Sequence, residues 1–321
     1  MKRWVGAAYG SAARTAELLS LLTPRGKGGK LGHAFSARRG IRRRYRTWGA
    51  EGRDRSRPLL WLHAASVGEG LMALPVMQSV RRALPHVQIA YTFYSPSAET
   101  LASQVGADFS DYLPFDSTAS ARVAIEALDP TALVFAKGDV WPSLVREAAA
   151  QDVRLALISA SIPASSRRTS TMGAMLTRDA YRALDAIGAA STDDATRMVE
   201  AGARADRVRV TGDTRYDQAW ARAHEERRNA PVIAALQSPR PTLVAGSTWR
   251  SDERELLPAW LALRAQLPSA RLVIAPHELA GAHLASIAEW ARSHSLTTAP
   301  LSDATGDTDV IVVEEDDEQP V

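Results

Sequence analysis

The sequence predicts an α/β protein with two doubly wound domains, the second of them incomplete. From Pro58 onward, short apolar runs alternate with longer amphipathic runs, as expected of strands and helices in a parallel sheet. A chain of 321 residues, 45% of them hydrophobic, is long enough to bury two cores rather than one. A polar stretch at residues 222–231 separates two series of such runs, which indicates a linker.

The first series makes one complete doubly wound domain, which we assign to residues 58–225. Its predicted strands are residues 59–63, 88–93, 132–136, 155–159, 186–190 and 208–211. Its predicted helices are residues 70–83, 98–105, 119–127, 143–150 and 194–201. Six strands with helices between them are sufficient for a domain of this kind.

The second series, residues 226–321, is predicted to form a partial domain. Its strands are expected at residues 242–245, 271–275 and 310–313, and its helices at residues 253–267 and 283–293. Three strands are too few for a closed Rossmann-like domain. The acidic residues 314–318 stand where another crossover helix is expected, so we expect a chain that is truncated at its C-terminus.

Composition removes several classes of chemistry. The chain has no cysteine, which excludes disulfides, thiolate metal sites and a cysteine nucleophile. Its seven histidines show no paired spacing of the kind that metal sites use, so we expect neither a metal nor a cofactor.

The first 57 residues form a strongly basic segment. They hold fifteen Lys or Arg against three acidic residues, a formal charge of +12 in a chain whose total is +3. Arg14 and Glu17 interrupt the apolar residues of positions 4–22, so a membrane-spanning helix is not predicted. An interfacial anchor on an anionic membrane fits better, with a solvated basic tail as the alternative. Nucleic-acid binding is not favoured, because no groove of interleaved aromatic residues accompanies the charges.

Glu69 is the leading candidate for chemistry. It follows the first predicted strand and stands at the start of a helix, in an open α/β sheet whose ligands bind beyond the carboxyl ends of strands. An oriented carboxylate there can take the proton of an attacking sugar hydroxyl, which is general-base catalysis. The alternative is that Glu69 only caps its helix, since acidic residues are common in first turns.

Seven short segments, in order along residues 58–278, resemble the Kdo (3-deoxy-D-manno-octulosonic acid) transferase family. They are WLHAASVGE at 61–69, TFYSPS at 92–97, YLPFD at 112–116, KGDVWP at 137–142, TGDTRYD at 211–217, AGSTW at 245–249 and APHE at 275–278. The resemblance implies an inverting glycosyltransferase of GT-B architecture that moves Kdo from CMP-Kdo to a lipid A precursor, lipid IVA, in lipopolysaccharide core biosynthesis. It implies location at the cytoplasmic face of the bacterial inner membrane, peripheral or anchored through the N-terminus.

The resemblance also implies site residues. Glu69 matches the presumed catalytic base of the family. The residues that match substrate-binding positions are Ser66, Gly68, Ser95, Lys137, Asp139, Gly212, Asp213, Gly246, Ser247, Thr248, His277 and Glu278. The acceptor is expected on the N-terminal domain and CMP-Kdo largely on the C-terminal one.

Several of these positions have a second interpretation. Many members of the family carry Glu where this chain has Lys137, which either binds a Kdo carboxylate or lipid A phosphate or pairs with Asp139. The Gly-Ser-Thr turn at 246–248 either cradles the CMP phosphate or is an ordinary capped turn. His277 and Glu278 either contact the nucleotide or form a satisfied polar pair. The expected glycine-rich part of the donor site is missing, so the alternative function is a catalytically inactive, membrane-associated fragment that binds lipid A.

Overall fold

A computed structural model describes residues 3–22, 29–163, 171–225, 236–279 and 281–314. The chain divides into two compact units, Met1–Arg222 and Ala223–Val321. Each contains a sheet of parallel strands, so the predicted α/β class is confirmed.

The sheet of the first unit has seven parallel strands in the order β3-β2-β1-β4-β5-β6-β7. The strands are β1 Leu59–His63, β2 Gln88–Phe93, β3 Phe109–Tyr112, β4 Ala132–Ala136, β5 Arg154–Ala160, β6 Ala186–Ala189 and β7 Val208–Val210. All six residues of β2 are buried, as expected of a strand covered on both faces. The order reverses between β1 and β4, which makes the sheet doubly wound.

Ten helices of the described residues belong to or follow this sheet. They are α1 Arg3–Leu22, α2 Gly29–Ala37, α3 Ile41–Glu51, α4 Val67–Ala83, α5 Glu99–Gln104, α6 Thr118–Leu128, α7 Pro142–Ala149, α8 Thr171–Ala183, α9 Thr192–Glu200 and α10 Arg215–Glu225. Helix α4 begins three residues before the predicted start, which places Glu69 inside its first turn.

The basic N-terminal residues are part of the first unit, which differs from the separate segment predicted over residues 1–57. Ile41 and Tyr45 of α3 are buried in its core, and the Tyr45 hydroxyl donates to the Tyr112 carbonyl at 2.9 Å. Arg42 and Arg44 pair with Glu17 (2.6 Å) and Asp111 (2.7 Å). Much of the basic run therefore holds α1 and α3 on the sheet domain. Over the described ranges, no helix combines the length and hydropathy needed to cross a membrane.

The second unit contains a four-stranded parallel sheet in the order β10-β11-β9-β8. Its elements are β8 Thr242–Thr248, α11 Arg250–Gln266, β9 Arg271–Pro276, α12 Gly281–Ser293, β10 Thr298–Pro300 and β11 Val310–Val312. Trp260 of α11 and Ile287 of α12 pack with Leu272 and Ile274 of β9 in a core of its own.

All nine predicted strands are present, and three of them, β1, β2 and β4, have the predicted bounds. The sequence failed to indicate β3 and β10, each at the edge of its sheet. In β3 the buried ends Phe109 and Tyr112 flank Ser110 and Asp111, so no continuous apolar run marks the strand. Strand β10 has only three residues, all half-buried.

Candidate functional site

The candidate site of the first unit lies where the strand order reverses, between β1 and β4. In open α/β sheets, ligands bind in the crevice beyond the carboxyl ends of the strands at this point. Glu69 follows β1, and Lys137 and Asp139 follow β4. The topology therefore places the residues that the sequence predicted from two distant segments on the two sides of one crevice.

Glu69 is oriented by the backbone that precedes it. Its Oε2 atom accepts a hydrogen bond from the Ser66 amide at 3.0 Å, and the Ser66 hydroxyl lies 3.3 Å from the same oxygen. The side chain is only 8% exposed and stands in the first turn of α4, where the helix dipole favours a negative charge. No hydrogen bond to its Oε1 atom comes from the described residues. Glu69 thus caps its helix with one oxygen and keeps the other available.

The two glycines beside Glu69 have different roles. A Cβ atom on Gly68 would meet nothing within 4 Å, and Gly68 is exposed, so space for a ligand is open at this turn. A Cβ atom on Gly70 would lie 2.5 Å from the Tyr91 hydroxyl and 2.4 Å from Leu101 Cδ2. Gly70 therefore allows α4 to approach β2, a requirement that the sequence analysis did not identify.

A buried polar chain joins β1, β2 and the residues after β4. Thr92 Oγ1 lies 2.8 Å from Trp61 Nε1, which donates to it, and 3.0 Å from His63 Nδ1. Trp141 Nε1 donates to His63 Nε2 at 3.0 Å, so the His63 proton resides on Nδ1. Burial lowers the pKa of His63 to about 3, which keeps the imidazole neutral.

The hydrogen bond to His63 and the Tyr94 ring together fix Trp141 at the crevice. The Tyr94 and Trp141 rings stack with their centroids 4.9 Å apart. His63 and Trp141 were not among the predicted site residues. These two residues contact each other from segments about 80 residues apart. A local sequence pattern does not indicate such a contact.

The loops after β1 and β2 are held together by their backbones. The amides of Tyr94 and Ser95 both donate to the Ala65 carbonyl, at 3.1 and 2.8 Å. Ser95 Oγ accepts from the Ser97 amide at 3.3 Å and so caps the short turn Pro96–Ala98. Ser95 therefore lies at the predicted edge, where its side chain also stabilises the turn.

The residues after β4, β5 and β7 meet at the same edge. Lys137 has a left-handed backbone (φ 65°), and its amide donates to the Ile158 carbonyl at 2.9 Å. Thr214 lies between β5 and α4: its hydroxyl is 2.8 Å from Ser159 Oγ and donates to the Met72 carbonyl at 2.7 Å. Gly212 adopts φ 88°, which favours glycine.

Asp213 completes this cluster as a carboxylate. Burial opposes its ionisation, but hydrogen bonds from Arg215 and the charges of Arg215 and Lys137 leave the pKa of Asp213 below its usual range. The Arg215 guanidinium lies 2.5 Å from it. Lys137 therefore acts electrostatically on Asp213, a relation that the sequence did not indicate.

The candidate residues of the second unit gather at the carboxyl ends of β8 and β9. The His277 amide donates to the Thr248 carbonyl at 2.8 Å, and the His277 ring packs on Trp249 with centroids 4.2 Å apart. Gly246 and Ser247 are exposed, and a Cβ atom on Gly246 would meet nothing within 4 Å. These positions are open to a ligand.

Behind this surface lies a buried polar cluster. Glu253 accepts from the Thr248 hydroxyl at 2.9 Å and lies 2.7 Å from His283 Nε2, while His283 Nδ1 is 3.2 Å from the Glu278 carbonyl. Thr248 thus uses its hydroxyl to support the turn, and His283 positions the backbone of Glu278. Among the described residues, no group of three His, Asp or Glu side chains is arranged to hold a metal ion.

Solved structures with a similar fold are nucleotide-sugar enzymes. The UDP-GlcNAc 2-epimerase from Neisseria meningitidis, bound to UDP-GlcNAc, aligns with a TM-score of 0.58 and 14% identity over 81% of this chain and 72% of its own. A putative UDP-N-acetylglucosamine 2-epimerase from Listeria monocytogenes aligns with a TM-score of 0.59 and 12% identity over 81% and 70%. At these identities the likeness establishes the GT-B type of fold alone.

Sequence comparison is more specific. The 3-deoxy-D-manno-octulosonic acid transferase of Bordetella pertussis is 30% identical over 226 residues, which are 68% of this chain and 51% of that protein. The transferase of the same name from Haemophilus influenzae is 25% identical over 225 residues, with the same shares. The chain spans about half the length of these curated relatives. The family model described as 3-deoxy-D-manno-octulosonic-acid transferase (kdotransferase) matches residues 35–218, and the chain therefore belongs to the Kdo transferase family.

Proposed function

We propose that this protein transfers Kdo from CMP-Kdo to a lipid A precursor, lipid IVA, with inversion and with Glu69 as the general base. The observation that carries the proposal is the Glu69 carboxylate at the crevice between β1 and β4. One of its oxygens is fixed by Ser66, and the other has no hydrogen-bond donor in the described parts of the chain. Membership of the Kdo transferase family supports the reaction class.

In the proposed reaction, Glu69 removes the proton from an acceptor hydroxyl as its oxygen attacks the anomeric carbon of Kdo. A new carbon–oxygen bond forms, the bond from that carbon to the CMP phosphate breaks, and CMP leaves with the bonding electrons. Attack from the face opposite CMP inverts the centre. A general base must accept this proton, and Glu69 stands for that role in the first turn of α4, beside the crevice.

We assign acceptor contacts to the first unit. Ser66, Gly68, Ser95, Lys137, Asp139, Gly212 and Asp213 all follow strands of its sheet. Lys137 supplies a point charge for a carboxylate or phosphate. Trp141, fixed by His63 and Tyr94, offers an aromatic face beside them.

We assign donor contacts to the second unit. The last residues of β8, before α11, present amides and a hydroxyl suited to a phosphate: Gly246, Ser247 and Thr248, with His277 and Glu278 beside them. The first turn of α11 carries two acidic residues, Asp252 and Glu253. The favourable contacts with a phosphate must therefore come from residues 246–248.

We also place the enzyme at the cytoplasmic face of the inner membrane. Leu18 and Leu19 of α1 are 64% and 51% exposed, and exposed arginines accompany them. An apolar strip beside basic residues suits an anionic lipid surface.

The substitution Glu69→Gln tests the base. A glutamine oxygen still accepts from the Ser66 amide, so the helix cap survives while the base is lost. We expect transfer from CMP-Kdo to lipid IVA to fall by about 10²- to 10⁴-fold, with an unchanged thermal unfolding midpoint. Glu200→Gln, at an exposed glutamate of α9, is the matched control and should keep full activity.

The same transfer assay distinguishes the proposed function from the alternative one. The alternative is a membrane-associated protein that binds lipid A without transferase activity. Lipid IVA binding without turnover in the unmodified chain would support that alternative. Equal turnover of the unmodified chain and Glu69→Gln would remove Glu69 from the mechanism.

A further inference from the structure

A cavity of about 650 Å³, which Glu69 does not line, lies between α1 and the start of α3. Its wall includes residues of α1, the connection from α2 to α3, and Phe115 from the loop after β3. The residues that the argument uses are Arg14, Glu17, Leu18, Arg38, Arg42 and Phe115.

The cavity carries an excess of positive charge. Three arginines line it against the single carboxylate of Glu17, which already pairs with Arg42 at 2.6 Å. Arg14 is exposed and forms no ion pair within the described residues. A net charge of this sign attracts an anion.

Arg38 is the buried arginine of this wall. It is 2% exposed, and its guanidinium donates to the carbonyls of Ala34, Leu113 and Tyr94 at 2.7 to 2.9 Å. A guanidinium carries five N–H groups, so two of them have no acceptor among the described residues. Burial lowers the pKa of Arg38, and the rings of Tyr94 and Tyr112 lie 4.1 and 4.7 Å from its charge.

The cavity also has an apolar lining beside its arginines. Leu18 is 64% exposed although it faces a cavity, and Ile41 and the buried Phe115 also line it. A free phosphate would leave these apolar residues in contact with water. A ligand that joins a phosphate to an acyl chain would cover the charged and the apolar residues together.

The cavity belongs to the same edge of the sheet as Glu69. Arg38 holds the carbonyls of Tyr94 and Leu113, which follow β2 and β3, while Glu69 follows β1. Strands β3 and β1 are separated only by β2, a distance of about 9–10 Å. A phosphorylated disaccharide can span that distance.

We propose that this cavity binds a phosphate and the adjoining acyl chain of the acceptor glycolipid while its reactive hydroxyl lies at Glu69. The inference rests on the proposed function, because it takes the acceptor to be a phosphorylated, acylated glucosamine disaccharide. It assigns phosphate contacts to Arg14 and Arg38 and the acyl contact to Leu18.

The test is co-sedimentation with three kinds of phosphatidylcholine vesicle. One contains lipid IVA, one contains the same lipid without its phosphates, and one contains phosphatidylglycerol at equal charge. The variants are Arg14→Gln, Leu18→Gln and, as a control, Arg43→Gln, which removes the same charge from an exposed position beside Arg42. All three replaced side chains are exposed, so folding is not at risk.

We expect Arg14→Gln to weaken binding to lipid IVA vesicles about tenfold and to leave binding to the dephosphorylated lipid unchanged. Leu18→Gln should weaken binding to both glycolipids, and Arg43→Gln should change neither by more than about twofold. The inference would be overturned if Arg14→Gln and Arg43→Gln lost equal amounts of binding to lipid IVA vesicles. It would also be overturned if Arg14→Gln lost as much binding to phosphatidylglycerol vesicles as to lipid IVA vesicles, since either result indicates general charge attraction. Vesicle binding does not require turnover. The binding results would therefore still be informative if Glu69→Gln kept full transferase activity.

Discussion

Asp116 is a buried carboxylate that accepts three hydrogen bonds. The amides of Ser143 and Leu144, at the start of α7, donate to it at 2.9 and 2.8 Å, and the Tyr9 hydroxyl donates at 2.8 Å. Burial nevertheless raises the pKa of Asp116 to about 6, and these hydrogen bonds only limit the rise. One side chain therefore links α1, α7 and the loop after β3.

The raised pKa gives a prediction for stability. An unfolded aspartate loses its proton near pH 4, whereas folded Asp116 keeps it to about pH 6. The folded state thus binds the extra proton, and its free energy of unfolding falls as pH rises from about 4 to 6. We compare the free energy of unfolding of the unmodified protein with that of Asp116→Asn, measured in urea. We expect the difference between the two to fall by about 2–3 kcal/mol as pH rises across that window. A difference that stays constant with pH would show that Asp116 ionises normally in the fold.

At this scale the position of Glu69, after an apolar strand and at a helix start, left open a catalytic base or a helix cap, and the family resemblance favoured the base. The sequence did not predict His63, Trp141 or Arg38. Each of these acts through a partner from a distant segment, as Trp141 does through His63. Pairings of that kind are set by the order of strands in the sheet, which local patterns do not reveal.

Helix α3 is rich in arginine, but one side of it packs in the core of the first unit. Its Arg-rich sequence is typical of an interfacial anchor, yet Tyr45 is fully buried and its ring packs on Phe109 with centroids 4.9 Å apart. Two of its arginines, Arg42 and Arg44, pair with Glu17 and Asp111, which lie far away in the sequence. The long apolar strands were predictable because burial on both faces leaves a continuous run, whereas α3 buries only a narrow stripe.

Gly49 tests the packing of α3. A Cβ atom there would lie 2.6 Å from the carbonyl oxygen of Ala127 in α6, which is backbone and cannot rotate away. We expect Gly49→Ala to lower the free energy of unfolding by about 1–3 kcal/mol. Gly10→Ala in α1 has nothing within 4 Å and should be neutral or stabilising by up to about 1 kcal/mol. Equal stability of the two variants in urea would mean that α3 does not pack on α6.

The whole molecule contains two units with separate cores, and each holds a buried aspartate whose pKa is shifted, in opposite directions. In the second unit, Asp309 precedes β11 and pairs with Arg240 at 2.6 Å and Arg264 at 2.8 Å. Its side chain is 12% exposed. Burial opposes its ionisation, but the two arginines and the Thr297 amide and hydroxyl lower the pKa of Asp309 to about 2. Its ionised form therefore stabilises the second unit.

The sign for Asp309 is the reverse of that for Asp116. A depressed pKa contributes stability above about pH 4 that is lost as pH falls toward 2, here about 2 kcal/mol. Between pH 6 and 4, by contrast, protonation of Asp116 favours the first unit. We therefore expect the stability that the second unit loses between pH 4 and 2 to depend on Asp309, and Asp116 to offset part of what the first unit loses between pH 6 and 4.

Hydrogen exchange followed by mass spectrometry can follow the second unit by itself. At about pH 3, peptides of β9 and β11 should have lost protection that they hold at about pH 5. Asp309→Asn should destabilise the second unit at pH 7 and remove most of its change between pH 4 and 2, because the variant has no proton to gain. Asp206→Asn is the control, since Asp206 is exposed on the first unit and pairs there with Arg204. If Asp309→Asn left the loss of protection of β9 and β11 between pH 4 and 2 unchanged, Asp309 would not be its cause, because a side chain that gains no proton cannot carry a stability change that depends on pH.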